Sequence, residues 1–282
     1  PMNILILVLR GLGILDARVI VVEQSMVALG QVKSWAVGVL YRRADAVVGV
    51  SSGVSQSLVD ELALPPMSVL TVNNPVDTDR IRTVIEAPGP TSDATPLASR
   101  WEKLPSPIVL TAGRLVPEKA HGDLLTAFAA LPEHHRGTLV ILGEGPLRAD
   151  LEQHARHLGI SDHLWMPGFV DNPWWFIHRA DVFCLPSHHE GHPLILLEAL
   201  ACRTPIVATD CPSGPREILG DLPGTRLVPI ADPQALATAI SETLDHPIRP
   251  DADLTPYTPT TIAQQYADVV AQVLDAAPPA GS

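Results

Sequence analysis

The sequence predicts an α/β chain made of two Rossmann-like parallel-sheet domains, the first of them incomplete. Three observations predict it. Apolar runs of strand length alternate with helical patterns, as in parallel sheets joined by helical crossovers. Charged residues and glycines gather just after those runs, at the strand ends where open sheets of this class hold ligands. A stretch rich in Pro, Ser and Thr, residues 86–107, separates two or three strands from six that follow. The expected division is a partial first domain at 1–85, a linker at 86–107, a second domain at 108–247, and a C-terminal helix with a disordered tail at 248–282.

Taken in order, "MNILILVLRGLGIL" (2–15) reads as a buried strand and its turn, with a membrane-touching surface as the alternative. "ARVIVVE" (17–23) and "ADAVVGVS" (44–51) are buried strands, and the stretch between them, from residue 28 to 43, has helical spacing. "SSGVSQSLVDEL" begins with serines suited to capping a helix, and "MSVLTVNNPVD" is a short strand ending in a turn. Past the linker the strands are "IVLTAGRL", "GTLVILGEG", "HLWMPGF", "DVFCLPS", "PIVATD" and "TRLVPI". Between them lie the helices "HGDLLTAFAAL", "PLRADLEQHARHLGI", "PWWFIHRA", one from Pro193 to Leu200, and "GPREIL". "PQALATAISETL" and "PTTIAQQYADVVAQVLDAA" close the chain as amphipathic helices, followed by "APPAGS" (277–282).

Composition narrows the functions. The chain is 46% hydrophobic over 282 residues, enough for a sizeable core. Its formal charge of −12 falls almost wholly after residue 100 and leaves no basic stripe, which argues against nucleic acid. Cys184, Cys202 and Cys211 lack metal-type spacing and cannot all pair, so they suit a reducing compartment and should be buried and inert. A cytoplasmic protein is expected, with peripheral contact at the inner membrane face as an option. In "SHHEGHPLILLEAL", His188 and His192 stand four apart around Glu190. A helical zinc motif needs its glutamate directly after the first histidine and one continuous helix. Gly191 and Pro193 break that helix, so no metal site is expected. His188 and His189 read as loop residues, while His192 beside Glu190 should line a site. The Trp174-Trp175-Phe176 cluster reads as core, with base stacking or lipid contact as the alternative.

The strand-end loops carry the chemistry. After the first strand of the second domain come Gly113, Arg114 and Lys119, two cations suited to a diphosphate. After the second come Gly143 and Gly145, which let backbone approach a ligand closely. After the fourth, Glu190 to Leu194 open a helix whose free N–H groups favour an anion. Glu198 lies about one and a half turns into that helix. Carboxylates suit sugar hydroxyls, and cations with amides suit phosphate. The set therefore fits a sugar joined through a diphosphate to a nucleoside. Arg114 with Lys119 as a solvated pair, and Glu198 as a local salt-bridge partner, are the plainer alternatives.

In order and spacing, "GRLVPEK", "GEGP", "GFVDNP", "PSHHEGHPLILLEAL" and "ATDCPSGPREIL" resemble glycosyltransferase family 4, retaining enzymes of the GT-B fold. The resemblance runs from Ala44 to Ala276 and is strongest from Leu110 to Leu219. It implies a hexosyl transfer from a nucleoside-diphosphate sugar, UDP-linked by preference, to a hydroxyl of a glycan or lipid-linked acceptor. It places Glu190 of an E-x7-E pair on the donor sugar and Glu198 on the ribose. Arg114 and Lys119 match the phosphate-binding residues, and Gly168, Phe169 and Val170 match the loop near the base. The catalytic set it implies is Glu190, Arg114 and Lys119, and the donor site adds Gly113, Gly143, Gly191, His192, Pro193 and Leu194. Metal-independent chemistry is expected, with no cofactor. Relatives carry a fuller first domain that binds the acceptor, a Ser-Glu-His-Asn sequence where Gln24 stands here, and commonly glycine at Arg203. Two alternatives remain at this point. One is a donor-binding fragment or subunit whose partner chain completes the first domain. The other is an NAD(P)-dependent oxidoreductase, which the strand pattern permits, although "GEGPLR" lacks the third glycine of a dinucleotide turn.

Overall fold

The computed structural model describes residues 2–27, 31–87 and 95–276. By internal contacts the chain divides into Pro1–Pro75 together with Thr255–Ser282, and Val76–Leu254. This division departs from the boundaries read off the sequence in two respects. The C-terminal helix Pro259–Asp275 belongs with the first sheet, and Val76 to Glu86 belong with the second.

The first unit runs α1 (Met2–Gly11), β1 (Ile20–Glu23), α2 (Gln31–Tyr41), β2 (Ala46–Gly49), α3 (Ser52–Leu62) and β3 (Val69–Thr71). Its three strands pair in parallel in the order β1-β2-β3. Side chains of a strand alternate between faces, and here both faces are covered. Val19, Val21 and Val47 pack with Leu7, Val54 and Leu58, whereas Ala46, Val48 and Val72 pack with Ile262, Val269 and Val273 of the C-terminal helix. Ser51 caps α3, its hydroxyl accepting from the Val54 amide at 3.1 Å.

The opening segment is a helix, which corrects the strand expected there. An unbroken apolar run does not fix its own period. As a helix it buries Leu7 completely and lets Asn3 donate to the Val22 carbonyl (3.3 Å) and to Glu23 (3.0 Å). It also brings Arg10 to Asp45, which in addition accepts from Arg18 (3.0 Å) and the Val19 amide (2.7 Å). Burial pushes the Asp45 carboxyl up, but these hydrogen bonds outweigh it and hold the group at about 2.

The second unit begins with α4 (Thr78–Glu86), capped by Asp77, and α5 (Thr95–Trp101). There follow β4 (Ile108–Ala112), α6 (His121–Ala129), β5 (Thr138–Leu142), α7 (Arg148–His157), β6 (Leu164–Gly168) and α8 (Trp174–Arg179). The rest is β7 (Val182–Leu185), α9 (Leu194–Ala201), β8 (Ile206–Thr209), α10 (Pro215–Leu219), β9 (Thr225–Val228) and α11 (Pro233–Asp245). All six strands are parallel, in the order β6-β5-β4-β7-β8-β9. One face packs Val109, Ile141, Cys184 and Val207 against Leu124, Phe128, Leu236 and Ile240.

The linker expectation needs amendment. Trp101 at the end of α5 is 5% exposed and sits edge-on to Phe176, with ring centroids 5.3 Å apart. A seven-residue helix gives too few turns for its spacing to show in sequence. Trp165 and Trp175 join the same cluster at 6.4 and 6.3 Å from Trp101, so the tryptophan run is core. The three cysteines are buried, and burial raises each thiol. Residues 88–94 and the tail 277–282 lie outside the described residues. Among the described residues no helix is long and apolar enough to cross a membrane.

Candidate active site

The order of the second sheet reverses between β4 and β7, which are neighbours although three strand–helix steps separate them in sequence. Loops leaving two such strands run to opposite sides and open a crevice at their carboxyl ends. The loop after β4 ends in a 3-10 turn, Pro117–Lys119, and the loop after β7 carries Glu190. Lys119 Nζ donates to Glu190 Oε1 across this crevice at 2.6 Å. The Glu190 side chain is 8% exposed and that of Lys119 23%. The two residues expected to meet different parts of one ligand here satisfy each other.

A second pair fixes their supports. The His188 amide donates to the Glu118 carbonyl (2.9 Å), and His188 Nε2 lies 2.7 Å from Asp123 Oδ2 in the first turn of α6. His188 was read from the sequence only as a loop residue, and Asp123 only as part of a helix. No local pattern joins two residues 65 positions apart.

Glycines bring the loops after β4, β5 and β6 together. Gly113 donates to the Leu142 carbonyl (2.9 Å), and Gly143 donates to the Gly168 carbonyl (2.8 Å). Gly143 has φ +146°, and a Cβ there would stand 1.9 Å from the Gly113 oxygen. Gly168, at φ +101°, leads into Phe169, which is 72% exposed, and half-buried Val170. The Lys119 stem runs 3.9 Å from where a Gly113 Cβ would be. Arg114 is exposed on this rim and makes no ion pair among the described residues.

On the far side of the crevice, Pro193 stands at the cap of α9 and Leu194 opens the helix, 41% exposed. Ser213 Oγ donates to the Gly191 carbonyl at 2.8 Å. Gly214 approaches so closely that a Cβ would lie 2.4 Å from Pro193 Cδ. His192 is 5% exposed, and burial lowers its imidazole to about 4 while Glu217 acts in the opposite sense. It is therefore neutral near pH 7. Burial raises the Glu198 carboxyl, opposed by the nearby Trp174 indole, and Arg80 of α4 lies over that ring at 5.3 Å.

The structure thus brings Gly113, Lys119, Gly143, Gly168, Glu190, Gly191, His192 and Pro193 into one connected rim. The family model for glycosyl transferases group 1 matches residues 97–259, which spans all of these positions. The chain belongs to this family. The oxidoreductase alternative falls with that membership.

Two curated relatives and one solved structure show the range. A Campylobacter jejuni N-acetylgalactosaminyltransferase acting on a diphospho-undecaprenol-linked sugar is 30% identical over 190 residues, covering 67% of this chain and 48% of that protein. A GDP-mannose-dependent phosphatidylinositol monomannoside mannosyltransferase of Mycolicibacterium smegmatis is 32% identical over 184 residues, covering 62% and 46%. HepE of Anabaena, solved in complex with UDP-glucose, superposes with a TM-score of 0.80 at 20% identity, over 94% of this chain and 76% of that one. That last likeness shows the GT-B fold. The chain spans about half the length of these curated relatives.

One departure from the family pattern acquires a structural meaning. Arg203, where relatives commonly have glycine, follows α9 in the left-handed region at φ +57°. Glycine occupies that region without strain and arginine does not. Asp77 caps α4 and Asp79 pairs with Arg82 (3.7 Å), while Asp251 pairs with Arg203 (3.3 Å).

Proposed function

We propose that this chain binds a nucleoside-diphosphate sugar, UDP-linked by preference, and serves retaining transfer of its hexosyl group to a hydroxyl of a glycan or lipid-linked acceptor in surface-polysaccharide or glycoconjugate synthesis. The observation that carries the reading is the Lys119–Glu190 pair across the switch point. A ligand with an anionic diphosphate beside sugar hydroxyls replaces both halves at once: phosphate takes Lys119, and hydroxyls take the freed Glu190 carboxylate. Arg114 and the N–H groups at the start of α9 add positive potential to the same phosphates. Stabilising the leaving diphosphate in this way is electrostatic work that requires no metal. Glu198 meets the ribose, and Gly168, Phe169 and Val170 border the base. The Campylobacter relative's diphospho-undecaprenol substrate and the UDP-glucose held by HepE support this donor and acceptor class.

The three-stranded first sheet favours a second reading, in which the chain binds donor but needs more of the acceptor side for turnover. Positioning the acceptor hydroxyl supplies much of the rate, and Gln24 stands where relatives have histidine. Exposed Met2, Leu5, Leu12 and Ile14 support a partner chain, or the inner face of the cytoplasmic membrane, as the cover for this unit. Calorimetry with a panel of UDP- and GDP-sugars, followed by turnover assays on lipid-linked and simple sugar acceptors, tests both readings. Absence of binding by every nucleotide sugar overturns the first. Robust multiple turnover by the isolated chain overturns the second.

A further inference from the structure

At the opposite end of the second sheet from the crevice, ahead of β5, the 3-10 turn Glu133–His135 lies against the last turn of α11. The ligating atoms of His134, His135 and Asp245 all lie within 4.8 Å of one another. We propose that these three residues form a divalent-cation site, suited to zinc, that ties the turn to the helix and has no part in the donor chemistry.

Four features carry this. First, the donor set is two imidazoles and a carboxylate, which suits zinc and its borderline neighbours and does not suit magnesium or calcium. Second, His135 is 6% exposed and its orientation is fixed: Nδ1 lies 2.7 Å from Ser241 Oγ and Nε2 lies 3.1 Å from Asp245 Oδ1. A hydrogen bond at one ring nitrogen that aims the other is the usual support of a metal-bound histidine. In the tautomer with Nδ1–H donating to Ser241, Nε2 turns its lone pair towards the Asp245 carboxylate, as a metal-binding histidine requires. Third, the site lies at the C-terminus of a 13-residue helix with no basic residue in its last turn, so the helix dipole adds negative potential. Fourth, the two outer ligands have freedom to close in. Zinc bonds of about 2.0–2.1 Å set ligand atoms about 3.4 Å apart. His134 is exposed and the Asp245 side chain is 54% exposed, so both can make that movement. The neighbouring cation, Arg136, is turned away and donates to the Leu131 carbonyl at 2.6 Å. Three protein ligands leave the fourth position of a tetrahedral zinc for water.

The test uses the untagged full chain. Zinc chloride is titrated by calorimetry and thermal unfolding is followed with zinc or magnesium added. The expected result is one equivalent of zinc at micromolar affinity or tighter, a raised Tm with zinc, and no change with magnesium. His134→Ala and Asp245→Asn alter exposed ligands, so their metal-free Tm should stay near that of the parent. Each should weaken zinc binding roughly tenfold or more. No zinc-dependent rise in Tm, or undiminished binding by either variant, overturns the proposal. UDP binding measured in the same samples should be the same with and without zinc, and dependence on zinc would place the ion in the donor site instead.

Discussion

The two units solve the same packing problem by different means. The six-stranded sheet keeps charge out of its apolar core, and its polar groups gather in the loops at the strand ends. The three-stranded sheet adds ionic and polar contacts to its apolar packing, Arg10 and Arg18 on Asp45 just before β2, and Tyr41 with Asn3 on Glu23 at the end of β1. Nine of the thirteen large apolar side chains exposed among the described residues also belong to this smaller unit. A short sheet buries too little apolar surface to be held by it alone, so removing a charged partner should cost it most.

The largest expected effect follows from that contrast. Asp45→Ala leaves two arginines without their partner in a mostly buried setting, a change that typically costs about 3–5 kcal/mol. The first unit should lose its cooperative melting transition while the second still binds UDP. Loss of both together, read by calorimetry on the folded fraction, would show that the contrast is false. Acid sharpens the same point. Because the folded carboxyl is held at about 2, below its ordinary 3.8, its contribution is complete above that ordinary value. It is lost as pH falls from there towards 2, and the first unit's transition should shift over this window.

Next comes Gly143→Ala, which forces a Cβ against the Gly113 oxygen at a φ that favours glycine. A cost of about 2–3 kcal/mol is expected, with nucleotide affinity falling more than global stability. A variant with parent-like UDP affinity would mean that the glycine rim does not shape the donor site.

The double change Arg114→Ala with Lys119→Ala should lower UDP affinity at least about a hundredfold and uridine affinity little, since charge-assisted bonds are worth about 1.5–3 kcal/mol each. Equal losses for nucleoside and nucleotide would remove these residues from the phosphate site. The smallest effect is Glu198→Gln. Burial disfavours its charged form, so the neutral amide should leave the unliganded Tm unchanged or higher while weakening nucleotide binding about tenfold. A lower Tm with unchanged affinity would assign Glu198 to the fold.

The second unit was the more legible in sequence for the same reason that it is the more regular. Four of its six strands are short apolar runs that lead into a glycine or a charge (Gly113, Gly143, Gly168, Asp210), so strand ends and loop chemistry can be read together. The Lys119 and Glu190 positions followed from that, and their direct contact did not, because it depends on which strands become neighbours. The pairing of Asp123 with His188 was illegible for the same reason. The opening segment was misread because Met2 to Leu9 contains a single polar residue, Asn3, and so carries no periodicity to separate helix from strand. Trp101 went unplaced because its helix is shorter than two full turns.

The C-terminal helix has a consequence for how the molecule is made. On the ribosome the first sheet emerges early, but Ile262, Val269 and Val273, which cover one of its faces, come some 190 residues after Thr71. At about 5–20 residues per second that is a wait of roughly ten to forty seconds. The second unit has all its strands before then and can fold while the first still has an apolar face open to chaperones. Of the two units, the one whose strands are synthesised earlier is the one finished later.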